Sequence, residues 1–546
     1  MAESNPNPSI DPKSGFCSET KIYHSLRSAA RLPPEDEPIS VTEYVFSILR
    51  SSSSLENIAL IDSATGDRLS FSELIRQTEI LAASLQNVIG LSRGDTAFIL
   101  SPNRLQIPIL YFSLFSLGVV ISPSNPSSSK SEISRQIELC KPVIAFATSA
   151  TALKLPSLRH ETVLIDSPEF NSMMTIPSEK LIRVEVLQSD PSAILYSSGT
   201  TGRVKGVVLT HRNWISAAAG SYAGQPVRAS PAVVLCTAPY FHVYGFLYCV
   251  KAAVVRESAV VMERFDVGMM MRAIGEFKVT HVAVAPPVVL AMVKADSVMD
   301  GYDLSSLEAV LCGGAPLRKE LIQRFKKRFP NVSLAQAYGL TETTAGTFRT
   351  MGLEESRRMG SAGRLTSNCL AKIVDPDTGI ALSPSSLGEL WIRGPIIMKG
   401  YVGDDEATSA TLDSEGWLRT GDLCYIDKDG FLFVVDRLKE LIKYKGYQVP
   451  PAELEHLLQS HPDIVDAAVI PYPDEEAGQV PMAFVVRRPK STLDEAQVMD
   501  FIAKQVAPYK KIRRVSFTNS IPKNAPGKIL RKDLIKLALS SPTCRL

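Results

Sequence analysis

The stretch Tyr196-Ser-Ser-Gly-Thr-Thr-Gly-Arg-Val-Lys-Gly-Val-Val-Leu-Thr-His211 decides how this chain is read. Ser197, Ser198, Gly199, Thr200, Thr201 and Gly202 stand side by side, with Ala193-Ile194-Leu195 before them and Val207-Val208-Leu209 after. Two apolar runs around a polar, glycine-containing turn predict strand, tight loop, strand. Glycine lets backbone N–H groups turn towards a ligand, and hydroxyls add further donors. Lys205 supplies a point charge suited to phosphate. The residues therefore read as a cradle for a polyphosphate. A serine-rich surface hairpin is the plainer alternative, but six consecutive small or hydroxyl residues that end in Gly-x-x-Lys-Gly argue against it. The loop is not a Walker sequence, because Val204-Lys205-Gly206 stands where Gly-Lys-Ser/Thr is needed.

A length of 546 residues implies several domains or subdomains, and a hydrophobic content of 45% can fill large cores. A charged content of 21% with a net charge of +2 leaves no footprint for nucleic acid or an anionic membrane. Eight cysteines at positions 17, 140, 236, 249, 312, 369, 424 and 544 form no Cys-x-x-Cys pair. Neither a zinc site nor a disulfide framework is expected, and a reducing intracellular compartment fits. Met1 to Pro12 is polar and proline-rich, without the basic start and apolar centre of a signal peptide. Leu105 to Val120 and Val233 to Val250 are apolar, but Gln106, Pro108, Pro239 and His242 interrupt them, so both are expected as buried core elements and not as membrane spans.

Residues 1–40 are expected to form a loose polar tail. Ser70 or Ser72 can cap a helix through Ile80 to Val88. Gly94 to Leu100 predicts a buried strand, the run 105–117 a helix, and Val119-Val120-Ile121 the next strand. Ala232 to Leu235, His281 to Ala285 and Ala309 to Cys312 add further strands. Alternating strands and helices predict an α/β fold with mixed and substantially parallel sheet. Near the end, Asp466 to Ile470 and Met482 to Val486 read as strands and Asp494 to Val506 as a helix. Pro522-Lys-Asn-Ala-Pro-Gly-Lys528 is a rigid turn presenting one lysine.

Further motifs stand in order along the chain: Pro239-Tyr-Phe-His-Val-Tyr-Gly245, Gln336-Ala-Tyr-Gly-Leu-Thr-Glu342, Gly388-Glu-Leu-Trp-Ile-Arg-Gly394, Trp417-Leu-Arg-Thr-Gly-Asp422 and Val435-Asp-Arg-Leu-Lys439. With the 196–211 stretch they resemble the adenylate-forming ligases, the acyl-CoA synthetase and luciferase superfamily, and within it the plant 4-coumarate:CoA ligases and their ligase-like relatives. The resemblance runs from about Thr42 to Leu537. It implies a large N-terminal AMP-binding domain over residues 41–436, a small mobile C-terminal α/β domain over 437–541 and a short tail over 542–546. ATP, Mg²⁺, CoA and a carboxylic acid are the implied cofactor and substrates.

Role by role, the resemblance assigns residues 197–202 and Lys205 to the phosphates, Gln336, Ala337 and Tyr338 to adenine, and Thr341 to the α-phosphate. Glu342 is the implied Mg²⁺ ligand, a hard oxygen donor suited to that ion. Asp422 holds the ribose, with Arg437 and Lys439 beside the nucleotide. His242 lies next to the substrate carboxylate, with Tyr244, Tyr248 and Gly314 in the acyl pocket. Arg264, Lys445 and Gly446 approach CoA, while Lys443 and Gln448 approach the adenylate. Lys528 is the implied catalytic lysine of adenylation. Two departures bear on substrate: Tyr240 and Gly245 replace Met and Ser of true coumarate ligases, and Trp391 replaces the cysteine of their Gly-Glu-Ile-Cys-Ile-Arg-Gly box. Hydroxycinnamates, medium or long fatty acids and cyclopentenone acids that feed jasmonate synthesis are the candidate substrates. The implied reaction forms an acyl-adenylate and then a CoA thioester, with His242 able to help the thiol. A luciferase-like oxygenase, a carrier-loading adenylation domain and a non-catalytic acyl- or AMP-binding protein are the alternatives. Cys544-Arg545-Leu546 resembles the peroxisomal address that an import receptor reads; cytoplasm is the other expectation.

Overall fold

The computed structural model describes residues 9–52, 55–177, 179–197, 204–225, 228, 230–294, 301–315, 317, 319–344, 346–444, 447–524 and 527–540. Among these residues the strands form sheets of fourteen, seven and five members. The α/β expectation, a large mixed-sheet unit and a smaller one, is what the chain adopts.

The seven-stranded sheet carries the decisive stretch. Val120–Pro123, Thr96–Leu100, Ile144–Ala147 and Val163–Leu164 run parallel, the last of them at the edge of the sheet. Pro191–Ser197 joins them in parallel at Ile121↔Ala193, then pairs antiparallel with Lys205–Thr210. The first of these strands ends at Ser197 and the second begins at Lys205, at one end of the sheet. Gly400–Tyr401 adds the outer strand, with Tyr401 opposite Val207. Gln106–Ser116 is a helix, buried on nearly every face. Its sequence is apolar all round because it is a core helix. Among the described residues no helix is long and apolar enough to cross a membrane.

The fourteen-stranded sheet changes direction where the site lies. Ile58–Asp62, Ser258–Val261, Val233–Cys236, His281–Val284, Ala309–Cys312 and Ser333–Gly339 run parallel, and from Gly346–Arg349 onward the partners are antiparallel. Ligands of open α/β sheets bind outside the carboxyl ends of strands at such switch points. The last strand of this sheet, Phe431–Arg437, leads into the small unit. There Ile464–Asp474 and Gly478–Arg487 form a long hairpin under the helices Pro451–Ser460 and Arg531–Ser540.

Three local expectations change. Residues 9–40 are not a loose tail. Phe16 and Tyr23 are buried, Tyr23–His24 pairs with Ala371 and Leu370, and Arg27 grips Glu355 at 2.7 and 2.6 Å. The apolar residues among the prolines and charges are what dock the segment. Ser70 caps its helix through the Glu73 N–H, but the α-helix ends at Ser84 and continues to Ile89 as a wider π turn. The expected helix 494–506 is shorter, Glu495–Ala503.

Candidate active site

Loops after the parallel strands bring the acyl-pocket residues together. Val233–Cys236 leads to His242, which caps the buried helix Val243–Val254. Its Nδ1 accepts the Tyr244 N–H at 3.3 Å, and burial pushes its pKa down. The ring is therefore neutral with its proton on Nε2, and that nitrogen donates. Proton removal from the thiol by Nε2 is not available to this tautomer; hydrogen bonding to a carboxylate or thiolate is.

Tyr244 and Tyr248, one helical turn apart, share a face. Their rings meet edge-on at 5.5 Å, and the Tyr244 hydroxyl donates to the Leu311 carbonyl at 3.0 Å. Phe246, on the opposite face, stacks on Tyr111 at 4.4 Å and on Trp214 at 4.5 Å. It belongs to the core and not to the pocket. Gly245 is equally structural, since a Cβ there would lie 2.2 Å from the Pro239 carbonyl oxygen. Tyr240 is buried in the same core. Gly314 has φ +87° and open space where a Cβ would point, leaving room for a flat ring beside the backbone.

The phosphate side is built by two strands. Ser198, Gly199, Thr200, Thr201 and Gly202 lie outside the described residues. Ser197, at the strand end just before them, buries its hydroxyl without a partner, which suits a phosphate oxygen. Lys205 begins the return strand and sets its ammonium 4.3 Å from the ring centroid of Tyr401. The Tyr401 hydroxyl donates at 3.0 Å to Oε1 of Glu342, in the short helical turn Thr341–Thr343. Tyr401 therefore links the two groups assigned to phosphate and metal. Among the described residues no three His, Cys, Asp or Glu side chains cluster for a metal. One carboxylate fits Mg²⁺ when substrate phosphates and water complete the shell.

The ribose side centres on Asp422, which is buried. Tyr338 donates its hydroxyl at 2.6 Å and the Arg437 Nε lies 3.2 Å away. Burial raises the Asp422 pKa against the lowering influence of Arg437 and Tyr338. Gln336 and Ala337 belong to the same strand as Tyr338. Gly421, at φ +70°, donates its N–H at 2.9 Å to Oε1 of Glu389. The other oxygen of that carboxylate accepts the Trp391 indole N–H at 2.8 Å. Trp391 is itself held between cations, with the Arg419 guanidinium at 4.8 Å and the Lys372 ammonium at 4.6 Å from its ring. Trp391 is thus the outer end of a strut that reaches Gly421, the residue before Asp422.

The small unit delivers Lys528 to this place. Burial pushes the lysine pKa down, and its charged neighbours are Arg437, Glu440, Asp422 and Arg531. Asn524 shapes the turn, accepting the Lys528 N–H on its side chain at 2.8 Å and donating to the Lys528 carbonyl at 2.9 Å. Gly527, at φ +85°, rests so closely on the large unit that a Cβ would lie 2.6 Å from Pro287 Cγ. Arg531 bonds Glu440 and, at 2.7 Å, Glu455. The remaining assigned residues are not assembled. Lys443, Lys439 and Arg264 are exposed. Lys445, Gly446 and Cys544-Arg545-Leu546 lie outside the described residues, as does the side chain of Gln448.

Comparison with known proteins settles the lineage. The model of the AMP-binding enzymes matches residues 51–402, and that of their C-terminal domain matches 453–528. The chain belongs to the AMP-binding enzyme family. It is 50% identical to 4-coumarate–CoA ligase-like 9 of Arabidopsis thaliana, with 100% of both chains covered. It is 47% identical to the Arabidopsis peroxisomal OPC-8:0-CoA ligase 1, covering 98% of this chain and 99% of that one. Among solved structures, ATP-bound MatB of Rhodopseudomonas palustris shares the fold at TM-score 0.82 and 24% identity, covering 92% and 99%. The o-succinylbenzoate CoA synthetase of Bacillus subtilis, bound to its acyl-adenylate, matches at TM-score 0.78 and 27% identity, covering 90% and 97%.

Tyr401 carries no sequence signal, and the motif that holds Glu389 and Trp391 does not say what they touch. Tyr401 lies far from Lys205 in the chain, and only the antiparallel pairing of their strands joins them. Glu389 and Trp391 reach Gly421 across the strand pair 388–393 and 418–426.

Proposed function

We propose that this acid–CoA ligase divides its two steps between groups fixed in the large unit and a lysine brought by the small one. The observation that carries the reading is the burial of Lys528 beside Asp422 and Arg437. In the first step the substrate carboxylate attacks the α-phosphate of ATP and pyrophosphate leaves. Lys528 bridges the attacking oxygen and the α-phosphate, and Ser197, Lys205 and Thr341 hold the phosphates. The residues 198–202 complete that cradle. Negative charge grows on the equatorial oxygens, so donors aimed there supply most of the catalysis. Mg²⁺ bound at Glu342 would neutralise phosphate charge.

In the second step the CoA thiolate attacks the acyl carbonyl and AMP leaves. His242 donates from Nε2 to the thiolate or the developing oxyanion. Lys443, Gln448, Lys445 and Gly446 act here, with Arg264 near the CoA phosphates. Tyr244, Tyr248 and Gly314 line an apolar, aromatic pocket. We assign it to a hydroxycinnamate, a medium or long fatty acid, or a cyclopentenone acid. A peroxisomal site of action is supported by the name of the Arabidopsis relative. Loss of import of a tagged protein after removal of Cys544-Arg545-Leu546 would test that location and the receptor.

AMP release and thioester formation across cinnamates, fatty acids and cyclopentenone acids, with ATP, Mg²⁺ and CoA, tests the reading. One strongly preferred acid with matched AMP and thioester supports it. AMP without thioester would transfer the acyl group to another acceptor. No turnover with any acid would leave a binding protein.

A further inference from the structure

Arg349 is a buried cation whose charge is favoured by two carboxylates, Glu355 and Glu257, each of which is bonded to another side chain. Arg349 lies directly opposite Ala337 in an antiparallel pair. Opposed residues point to one face of a sheet. On that face a Cβ on Gly346 would lie 3.5 Å from the Ala337 Cβ. Gly313, 3.8 Å from the Ala337 carbonyl by the same construction, faces the Tyr244 ring at 3.6 Å. Arg349 also interacts electrostatically with Tyr248, the second pocket aromatic.

The neighbouring charges are already matched. Arg27 takes both oxygens of Glu355, and Lys251 pairs with Glu257 at 2.9 Å. Among the described residues the buried Arg349 Nε has no partner, and its Nη2 lies 3.4 Å from the Gly220 carbonyl. A desolvated guanidinium without a carboxylate is costly, and a ligand that supplies an acceptor removes the cost.

We propose that Arg349 is a specificity-determining residue that binds an oxygen acceptor, a carbonyl or a carboxylate, at the end of the acyl chain remote from the reacting carboxylate. The inference rests on the acid–CoA ligase reading. A plain hydrocarbon tail leaves the guanidinium unpaired. An acid with an oxo group or second carboxylate at its far end gives it one charge-assisted hydrogen bond.

The test measures kcat/KM for AMP release with decanoate, its terminal methyl-ketone analogue and the matching dicarboxylate. The wild-type enzyme should favour at least one acceptor-bearing acid over decanoate by roughly tenfold or more, the scale of one hydrogen bond to a charged group. Preference for the ketone identifies a neutral carbonyl as the ligand group, and preference for the diacid an anion. Arg349→Met should bring the ratio near unity while decanoate is still turned over. Arg349→Lys should keep part of the preference. Equal use of all three acids by wild type overturns the proposal, as does an undiminished preference in Arg349→Met. Turnover of decanoate alone sinks it and leaves the ligase reading standing. Release of AMP with none of the acids sinks both.

Discussion

Lys528 and Lys443 sit on the same small unit and live in different surroundings. Lys528 is held in a turn braced by Asn524, pressed onto Pro287 through Gly527 and half-buried beside Asp422. Lys443 lies on the short strand Ile442–Tyr444, with its side chain exposed and its N–H tied to the Gln479 side chain at 2.9 Å. One lysine is assembled with the nucleotide site and the other faces water. Under the proposed mechanism this arrangement of the two units is the one for adenylation, and the two lysines are assigned to different half-reactions.

The largest effect should come from Lys528→Ala. Acyl-adenylate formation should fall about 10²–10³-fold, as for loss of one well-placed donor to a developing charge. Thioester formation from supplied acyl-adenylate should stay within about twofold of wild type. Equal loss in both half-reactions would break the contrast. Because burial lowers the Lys528 pKa, its ammonium deprotonates before an ordinary lysine at about 10.4. Adenylation should therefore decline as pH rises from below that value, and Lys528→Arg should move the decline to higher pH.

Lys443→Ala should show the opposite split. Adenylation should remain near wild type, while thioester formation from acyl-adenylate drops roughly 10–100-fold, the scale of one charge-assisted contact. A loss confined to adenylation would refute the assignment. Gly527→Ala comes next. A methyl group at φ +85° and 2.6 Å from Pro287 strains the docked turn. About 1–2 kcal/mol of such strain corresponds to roughly a tenfold slower adenylation, with the thioester step unaffected. Single-turnover rates of the two half-reactions decide both cases.

Much of this was legible in the sequence because local chemistry wrote it there. The 196–211 hairpin has its apolar flanks and glycine turn in one run. Tyr338, Glu342 and Asp422 fall in ordered motifs. What was not legible depends on distant pairing. Tyr401 bridges Lys205 and Glu342 only because Gly400–Tyr401 adds to the edge of the phosphate hairpin. Arg349 comes to lie opposite Ala337 only when its strand folds back. Phe246 turns into the core although it stands between Tyr244 and Tyr248, because a motif does not state which helix face turns inward. The expectation of a loose tail fails over residues 9–40 because composition averaged over a segment hides four buried apolar side chains, Phe16, Cys17, Tyr23 and Ala30.

Groups of the large unit that hold the AMP portion should not divide between half-reactions, and Trp391 offers the gentlest test of that. Its indole N–H bonds Glu389, Glu389 bonds the Gly421 N–H, and Gly421 precedes Asp422, the residue assigned to the ribose. The nucleotide stays bound through both steps, so this strut acts in both. Trp391→Phe keeps a ring between Arg419 and Lys372 but removes the N–H. One neutral hydrogen bond of about 0.5–1.5 kcal/mol converts to a loss of a few-fold. KM for ATP in adenylation and the affinity for acyl-adenylate in thioesterification should weaken by the same factor, with kcat nearly unchanged. Trp391→His, which can restore an N–H donor, should recover part of both. A defect in one half-reaction alone would mean that Asp422 is positioned differently in the two steps, and the contrast between a fixed large unit and a divided small one would fail.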